Sequence, residues 1–147
     1  MFLSAVRLTR LALPGMRKRC FGRIIAVVSS GVVQPIPNLG ISNAIRLALV
    51  GWAKTLANEV ASEGITVNCI APGRIATDRV AELDCGRAAR EGIGIEEVER
   101  QSRATIPAGR YGNPAEFAAV AAFLASARSS YMTGSVIRVD GGMIRSL

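Results

Sequence analysis

GRIIAVVSS, residues 22–30, decides how this chain folds. Ile24, Ile25, Ala26, Val27 and Val28 run apolar without interruption, and the run ends in two hydroxyls, Ser29 and Ser30. A strand with one wet face alternates apolar and polar residues; a continuous run reads as a strand covered on both faces, as parallel strands are. ITVNCIAPG, residues 65–73, repeats the pattern and closes in a Pro-Gly turn, and SVIRVDGG, residues 135–142, supplies a third strand. Parallel neighbours need long crossovers, so the intervening segments should carry helices.

Residues 31–40, GVVQPIPNLG, hold two Pro and two Gly and read as a loop. ISNAIRLALVGWAKTLANEVA, residues 41–61, then sets Ile45, Leu49, Trp52, Leu56 and Val60 on one helical stripe, with Leu47, Val50, Ala57 and Ala61 on a milder second one. A helix apolar on two sides packs against its own core and against a partner. Gly64 suits the left-handed position that closes a helix. Upstream, Phe2, Val6, Leu8, Leu13 and Met16 predict a helix over residues 2–19, which Pro14 should bend or end. Downstream, residues 74–110 are polar and weakly periodic and read as a long lid or binding loop. Asn113-Pro114-Ala115-Glu116 combines a cap, a first-turn Pro and a capping-box acid, opening an Ala-rich helix to about Ala127. The order predicts an α/β fold with a parallel sheet and right-handed crossovers, forming a single domain over residues 1–147. Ligands in such sheets sit beyond the carboxyl ends of the strands, here Ser29/Ser30, Pro72/Gly73 and Asp140/Gly141.

Composition narrows the chemistry. Half of the 147 residues are apolar, enough for one core. Histidine is absent, which excludes His-based triads, His metal sites and imidazole proton shuttles. Cys20, Cys69 and Cys85 are odd in number and form no Cys-x-x-Cys pattern, so a reducing, cytoplasmic setting and no metal are expected. Cys69 lies in an apolar run and should be buried and inert. The net charge of +7 is uneven: the first 58 residues carry +8 and the remainder −1. Such asymmetry can mark a nucleic-acid or anionic-membrane surface, but aromatic interleaving is lacking. The expectation is no nucleic-acid partner; no apolar stretch of spanning length occurs either, so no membrane is expected. The basic, acid-free opening imitates a transit peptide, yet it runs directly into a strand and reads as a folded helix.

Together, residues 22–30, the helix from Ser42, VNCIAPGRIATD, IPAGRYGNPAEFA and YMTGSVIRVDGG resemble the second half of a short-chain dehydrogenase/reductase, nearest its 3-oxoacyl-carrier-protein reductase-like branch. The resemblance covers essentially the whole chain. It implies a Rossmann-type doubly wound parallel sheet and an oxidoreductase that reduces a ketone or oxidises an alcohol with NADP or NAD. It also implies a small-molecule carbonyl or alcohol substrate and a homo-oligomer, tetramer or dimer. The family's catalytic Ser falls on Ser29, whose hydroxyl would polarise the substrate carbonyl; bonding the local backbone is the plainer role of a strand-end Ser. Pro72, Gly73, Ile75 and Thr77 match the Pro-Gly-x-x-x-Thr segment that holds the nicotinamide carboxamide and a nearby phosphate.

Two departures qualify this. The family's Tyr-x-x-x-Lys is replaced by Ser42-Asn43-Ala44-Ile45-Arg46. A tyrosine phenol near pKa ~10 can be lowered toward working pH, whereas a Ser hydroxyl titrating like water at about 15.7 needs about 5 further units, roughly 7 kcal/mol. Its oxygen also stops roughly 4 Å short, counting bonds of about 1.5 Å. Ser42 therefore reads as a helix N-cap or, alternatively, as a catalytic acid. Arg46, on the same helical face, reads as a structural charge or a cofactor clamp, and it cannot relay a proton. Tyr111 and Tyr131 read as structural. Second, Gly92-Ile93-Gly94 neither follows a strand nor reaches a third Gly, so it is not the phosphate-binding turn. The chain thus reads as an N-terminally truncated half without the ADP-binding part, and its first strand should be an exposed apolar edge. A catalytically silent module oligomerising through residues 42–61, or a gene fragment, is the alternative.

Overall fold

The computed structural model describes residues 1–146. Along the chain run α1 (Phe2–Lys18), β1 (Gly22–Val27), α2 (Gly40–Val60), β2 (Ile65–Pro72), α3 (Asp78–Glu91), α4 (Ile95–Ala104), α5 (Pro114–Ala125) and β3 (Val136–Val139). The sheet order is β1-β2-β3. Both pairs are parallel, with Ile24 opposite Val67, Ala26 opposite Cys69, Ile70 opposite Ile137 and Pro72 opposite Val139. All carboxyl ends therefore share one edge, as the apolar runs predicted.

Burial sorts the strands. Ile65 to Ala71 are buried throughout, which makes β2 the central strand. Its odd-numbered residues Ile65, Val67, Cys69 and Ala71 join Leu49, Ala53, Leu56, Ala57 and Val60 of α2 in one core cluster. Each such large aliphatic side chain contributes about 1.5–3 kcal/mol when buried. The even-numbered side chains of β2 turn to the opposite face, the strand period being two; there Asn68 donates to Met132 O and accepts from Ser135 N–H. On that face Arg23 of β1 also reaches Ser126 O, just past α5. β1 itself is only half-buried, with Val27 52% exposed. Burial of this strand on both faces is thus corrected: among the described residues nothing pairs with its outer edge, as the missing-neighbour argument anticipated.

Several boundaries also differ from expectation. Pro14 does not end α1, since the helix continues to Lys18. The carbonyl that Pro14 leaves unbonded belongs to Arg10, and both residues are exposed, so water can serve it. Residues 74–110 are not a loop: α3 and α4 form a helical hairpin there. Their surfaces carry the ion pairs Arg79–Glu82, Arg87–Glu91, Glu97–Arg100 and Glu99–Arg103 at one-turn spacing. Helices supported this way show little apolar periodicity. Gly92, at φ 66°, closes α3, and Gly94 precedes α4. The connections also differ in hand. The chain crosses the sheet in one direction, yet α2 and α5 lie on opposite faces, so right-handed crossovers throughout are ruled out. The second connection contains the helical hairpin and is not a simple strand-helix-strand unit, which relaxes that constraint.

Candidate active site

β1 ends beside α2, and Arg46 fastens the two. Its Nη1 donates to Val28 O at 2.8 Å and Val27 O at 3.3 Å, and its Nε points to Ser42 Oγ at 3.4 Å. The guanidinium thus takes carbonyls at the strand tip. Ser42 is not the N-cap: α2 opens at Gly40, and Leu39 O already accepts Asn43 N–H at 2.8 Å. The N-cap reading of Ser42 is corrected, because the helix starts two residues earlier than Ser42. Its hydroxyl instead sits one turn from Arg46 and accepts from it.

Ser29 caps the short turn Ser30–Val32, and its Oγ accepts from Gly31 N–H at 3.1 Å. The hydroxyl proton finds no acceptor among the described residues, so it remains available to an incoming carbonyl oxygen. Asn43, not singled out from sequence, fixes this corner. Its amide donates to Ile36 O at 3.0 Å, and its Oδ1 would lie 2.5 Å from a Cβ built on Gly31. A side chain at Gly31 would displace the Asn43 amide, so the turn bearing Ser29 packs closely on α2.

The next strand tip is continuous with this one, since Val28 N–H donates to Ile70 O at 2.9 Å. Pro72 pairs with Val139, and Gly73 N–H donates to Val139 O at 2.9 Å. A Cβ on Gly73 would meet Asp140 Cα at 2.7 Å, so β2 and β3 close here without room for a side chain. Ile75 bridges to Gly112 and is buried, while Thr77 stands apart at the N-cap of α3. Thr77 makes no side-chain cap; its exposed hydroxyl turns weakly toward Ile75 O at 3.3 Å. Thr77 O takes the Val80 and Ala81 N–H groups, which leaves the Asp78 and Arg79 amides without an acceptor among the described residues, beside the acidic side chain of Asp78.

Beyond the ends of β2 and β3 lies a cavity of about 120 Å³ lined by Arg74, Ile75, Gly112, Val139, Asp140 and Gly141. Ligand pockets commonly exceed about 300 Å³, so this cavity alone is too small to enclose a nucleotide. Asp140 is already used, accepting from Gly142 and Ile144 N–H groups. Among the described residues no cluster of His, Cys, Asp and Glu could hold a metal ion.

One polar cluster escaped the sequence reading. Asp84 of α3, 1% exposed, accepts from the Arg74 guanidinium and, on its other oxygen, from Tyr111 OH at 2.7 Å. The guanidinium carbons of Arg74 and Arg103 each lie 5.7 Å from the Tyr111 ring centre. Burial raises the Tyr111 pKa above its ordinary value, the nearby Ser102 hydroxyl opposing and Asp84 reinforcing that shift. Had residues 74–110 been read as helical, Asp84 would have stood out as an acid aligned with Val80 and Ala88 on the inner face. Tyr131, by contrast, is fully exposed.

Known proteins share this fold. The enoyl-(acyl carrier protein) reductase family model matches residues 1–144. A 3-oxoacyl-[acyl-carrier-protein] reductase of Vibrio cholerae is 42% identical over 95% of this chain and 53% of its own length. Among solved structures, the NADPH-dependent reductase YwfH, involved in bacilysin biosynthesis, superposes with TM-score 0.94 at 34% identity, covering 99% of this chain and 56% of that one. The L-sorbose reductase of Gluconobacter frateurii, complexed with NADPH and L-sorbose, gives TM-score 0.91 at 37% identity, covering 100% and 56%. The chain thus spans about half the length of the relatives it matches. On this evidence it belongs to the short-chain dehydrogenase/reductase family.

Proposed function

We propose that this chain supplies the substrate-side half of an NAD(P)-dependent oxidoreductase that interconverts a ketone and an alcohol, in the manner of 3-oxoacyl reductases. The observation that carries the reading is the free Ser29 hydroxyl proton at the same sheet edge as Gly73 and the open N-terminus of α3. The Vibrio cholerae relative is named a 3-oxoacyl-[acyl-carrier-protein] reductase, and the L-sorbose reductase is complexed with NADPH and L-sorbose. The residues present fit the nicotinamide end of that cofactor: Pro72, Gly73 and Ile75 offer backbone at the strand tip, and Thr77 offers an exposed hydroxyl. When bound, the nicotinamide supplies or receives the hydride.

The chain's own residues would divide the remaining tasks. Ser29 would donate a hydrogen bond to the substrate oxygen, keeping its proton, and so stabilise the negative charge that develops there. Ser42 and Arg46 replace the family's Tyr and Lys. Arg46, engaged with the carbonyls of Val27 and Val28, holds the tip of β1 and places a fixed positive charge beside the site. Ser42 is too short and too weak an acid to replace a phenol, so a water molecule delivers the proton to the product alcohol. Turnover is consequently slow. Three free cysteines suit the cytoplasm, where thiols stay reduced.

Loss of NADPH absorbance in the presence of a 3-oxoacyl thioester tests this. Ser29→Ala should lower kcat/KM about 100-fold, as removing one oxyanion donor does elsewhere. Ser42→Tyr combined with Arg46→Lys should raise it above the parent protein. No NADPH consumption by parent or double variant would refute the assignment.

A silent assembly module is the second reading. It is favoured by apolar side chains left exposed on α2 and α1: Ile41 and Leu47, and Leu3, Leu8 and Leu11. They suit a homo-oligomer, and an oligomer without turnover in the same assay would decide for this reading.

A further inference from the structure

We propose that Arg74, Asp84 and Tyr111 are positioning residues, holding residues 75–77 in the conformation that receives the nicotinamide end of the cofactor; this inference rests on the oxidoreductase reading above. The three come from separate places: Arg74 follows the tip of β2, Asp84 projects from α3, and Tyr111 precedes α5. Their side chains meet around the buried Asp84, both of whose oxygens are occupied.

The same three anchor the backbone on which the proposed cofactor contacts lie. Gly112 N–H donates to Arg74 O and Ala76 N–H donates to Gly112 O, each at 2.8 Å. Arg74 and Tyr111 are thus the residues entering this two-bond bridge from either strand of chain, and Asp84 ties their side chains together behind it. A Cβ on Gly112 would sit 2.7 Å from Ile75 Cδ1, so the bridge is tight as well as bonded. Ile75 lies within it and Thr77 one residue beyond.

Stability alone gives little reason for such a cluster. The buried Asp84 carboxylate loses its hydration while the Arg74 guanidinium stays partly exposed, and apolar residues of similar volume often hold a fold as well as or better than a buried ion. What a fully bonded polar cluster adds is one defined geometry, because each donor and acceptor direction is fixed. Here that geometry is imposed on a three-residue segment whose first residue, Ile75, lines the cavity and whose last, Thr77, is exposed at the N-cap of α3. The Arg103 guanidinium beside the Tyr111 ring links the cluster to α4 as well.

Tyr111→Phe removes one hydroxyl and keeps the ring, which makes it the decisive variant. On the full-length protein, NADPH binding by fluorescence, kcat, KM for NADPH and Tm would be compared with the parent. The loss of one hydrogen bond to a charged group should raise Kd and KM for NADPH about tenfold. kcat at saturating NADPH should stay within about twofold, the signature of lost binding rather than lost transition-state contact. Asp84→Asn should shift Kd in the same direction; if it does not fold, Tyr111→Phe decides. A lowered Tm with parental Kd and KM would overturn the inference and make the cluster purely structural. A parent protein that binds NADPH while both variants bind it equally well overturns this inference alone, whereas a parent that binds none removes the functional reading and this inference together.

Discussion

Cys69 illustrates how much a single position reports. It lies at the centre of β2, 2% exposed, and burial pushes its thiol up to about 11. The thiolate is the reactive species, so Cys69 should be inert at neutral pH, while Cys20 and Cys85 are exposed. Alkylation of the native protein at pH 8 followed by mass spectrometry should modify two cysteines and leave Cys69 unmodified; rapid labelling of Cys69 would contradict the placement of β2. This inertness was legible from the apolar run around Cys69. The role of Ser42 was less so, because helix starts are set by which carbonyl first accepts. Leu39 does so here, without any polar side chain to announce it. Arg46 was readable as a charge beside Ser42, but its engagement with Val27 and Val28 depends on how closely α2 packs on the end of β1. Gly64 was legible for the conformation it adopts, φ 74°, and the structure adds a second reason: a Cβ there would meet Cys20 O at 2.3 Å.

At the scale of elements, helices with strong local signals matched expectation and those sustained by charge did not. α5 begins at the capping box read from Asn113 and Glu116, with both reciprocal hydrogen bonds present. The Arg110 guanidinium and the Asn113 N–H together hold the Glu116 carboxyl at a pKa of about 2. A depressed pKa means that the stabilisation is complete above the unfolded value of about 4.3 and disappears as pH falls through the folded one. A side-chain NMR titration should therefore give Glu116 a midpoint near 2, with the start of α5 keeping its amide protection through pH 4. A midpoint at the ordinary glutamate value would show that the capping box is not formed. α3 and α4 were missed for the opposite reason. Their buried faces are narrow, with Asp84 on one and Val98 and Ser102 on the other, so no apolar stripe revealed them. The cluster built on Asp84 went unseen with them.

For the molecule as a whole, a parallel sheet with its carboxyl ends on one edge followed from the apolar runs, and the structural relatives share it. The hand of the second connection and the half-exposed state of β1 did not follow so directly. Both depend on what lies on each face of the sheet, which no single segment encodes. The functional account depends on that shared edge: Ser29, Gly73 and residues 75–77 must face one nucleotide. Amide hydrogen exchange with and without NADPH tests this most directly. Adding NADPH should slow exchange at Gly31, Gly73 and residues 75–79 and leave the opposite edge of the sheet, at Phe21 and Gly64, unchanged. Unaltered exchange at the strand tips, or protection confined to the Phe21 and Gly64 edge, would contradict it.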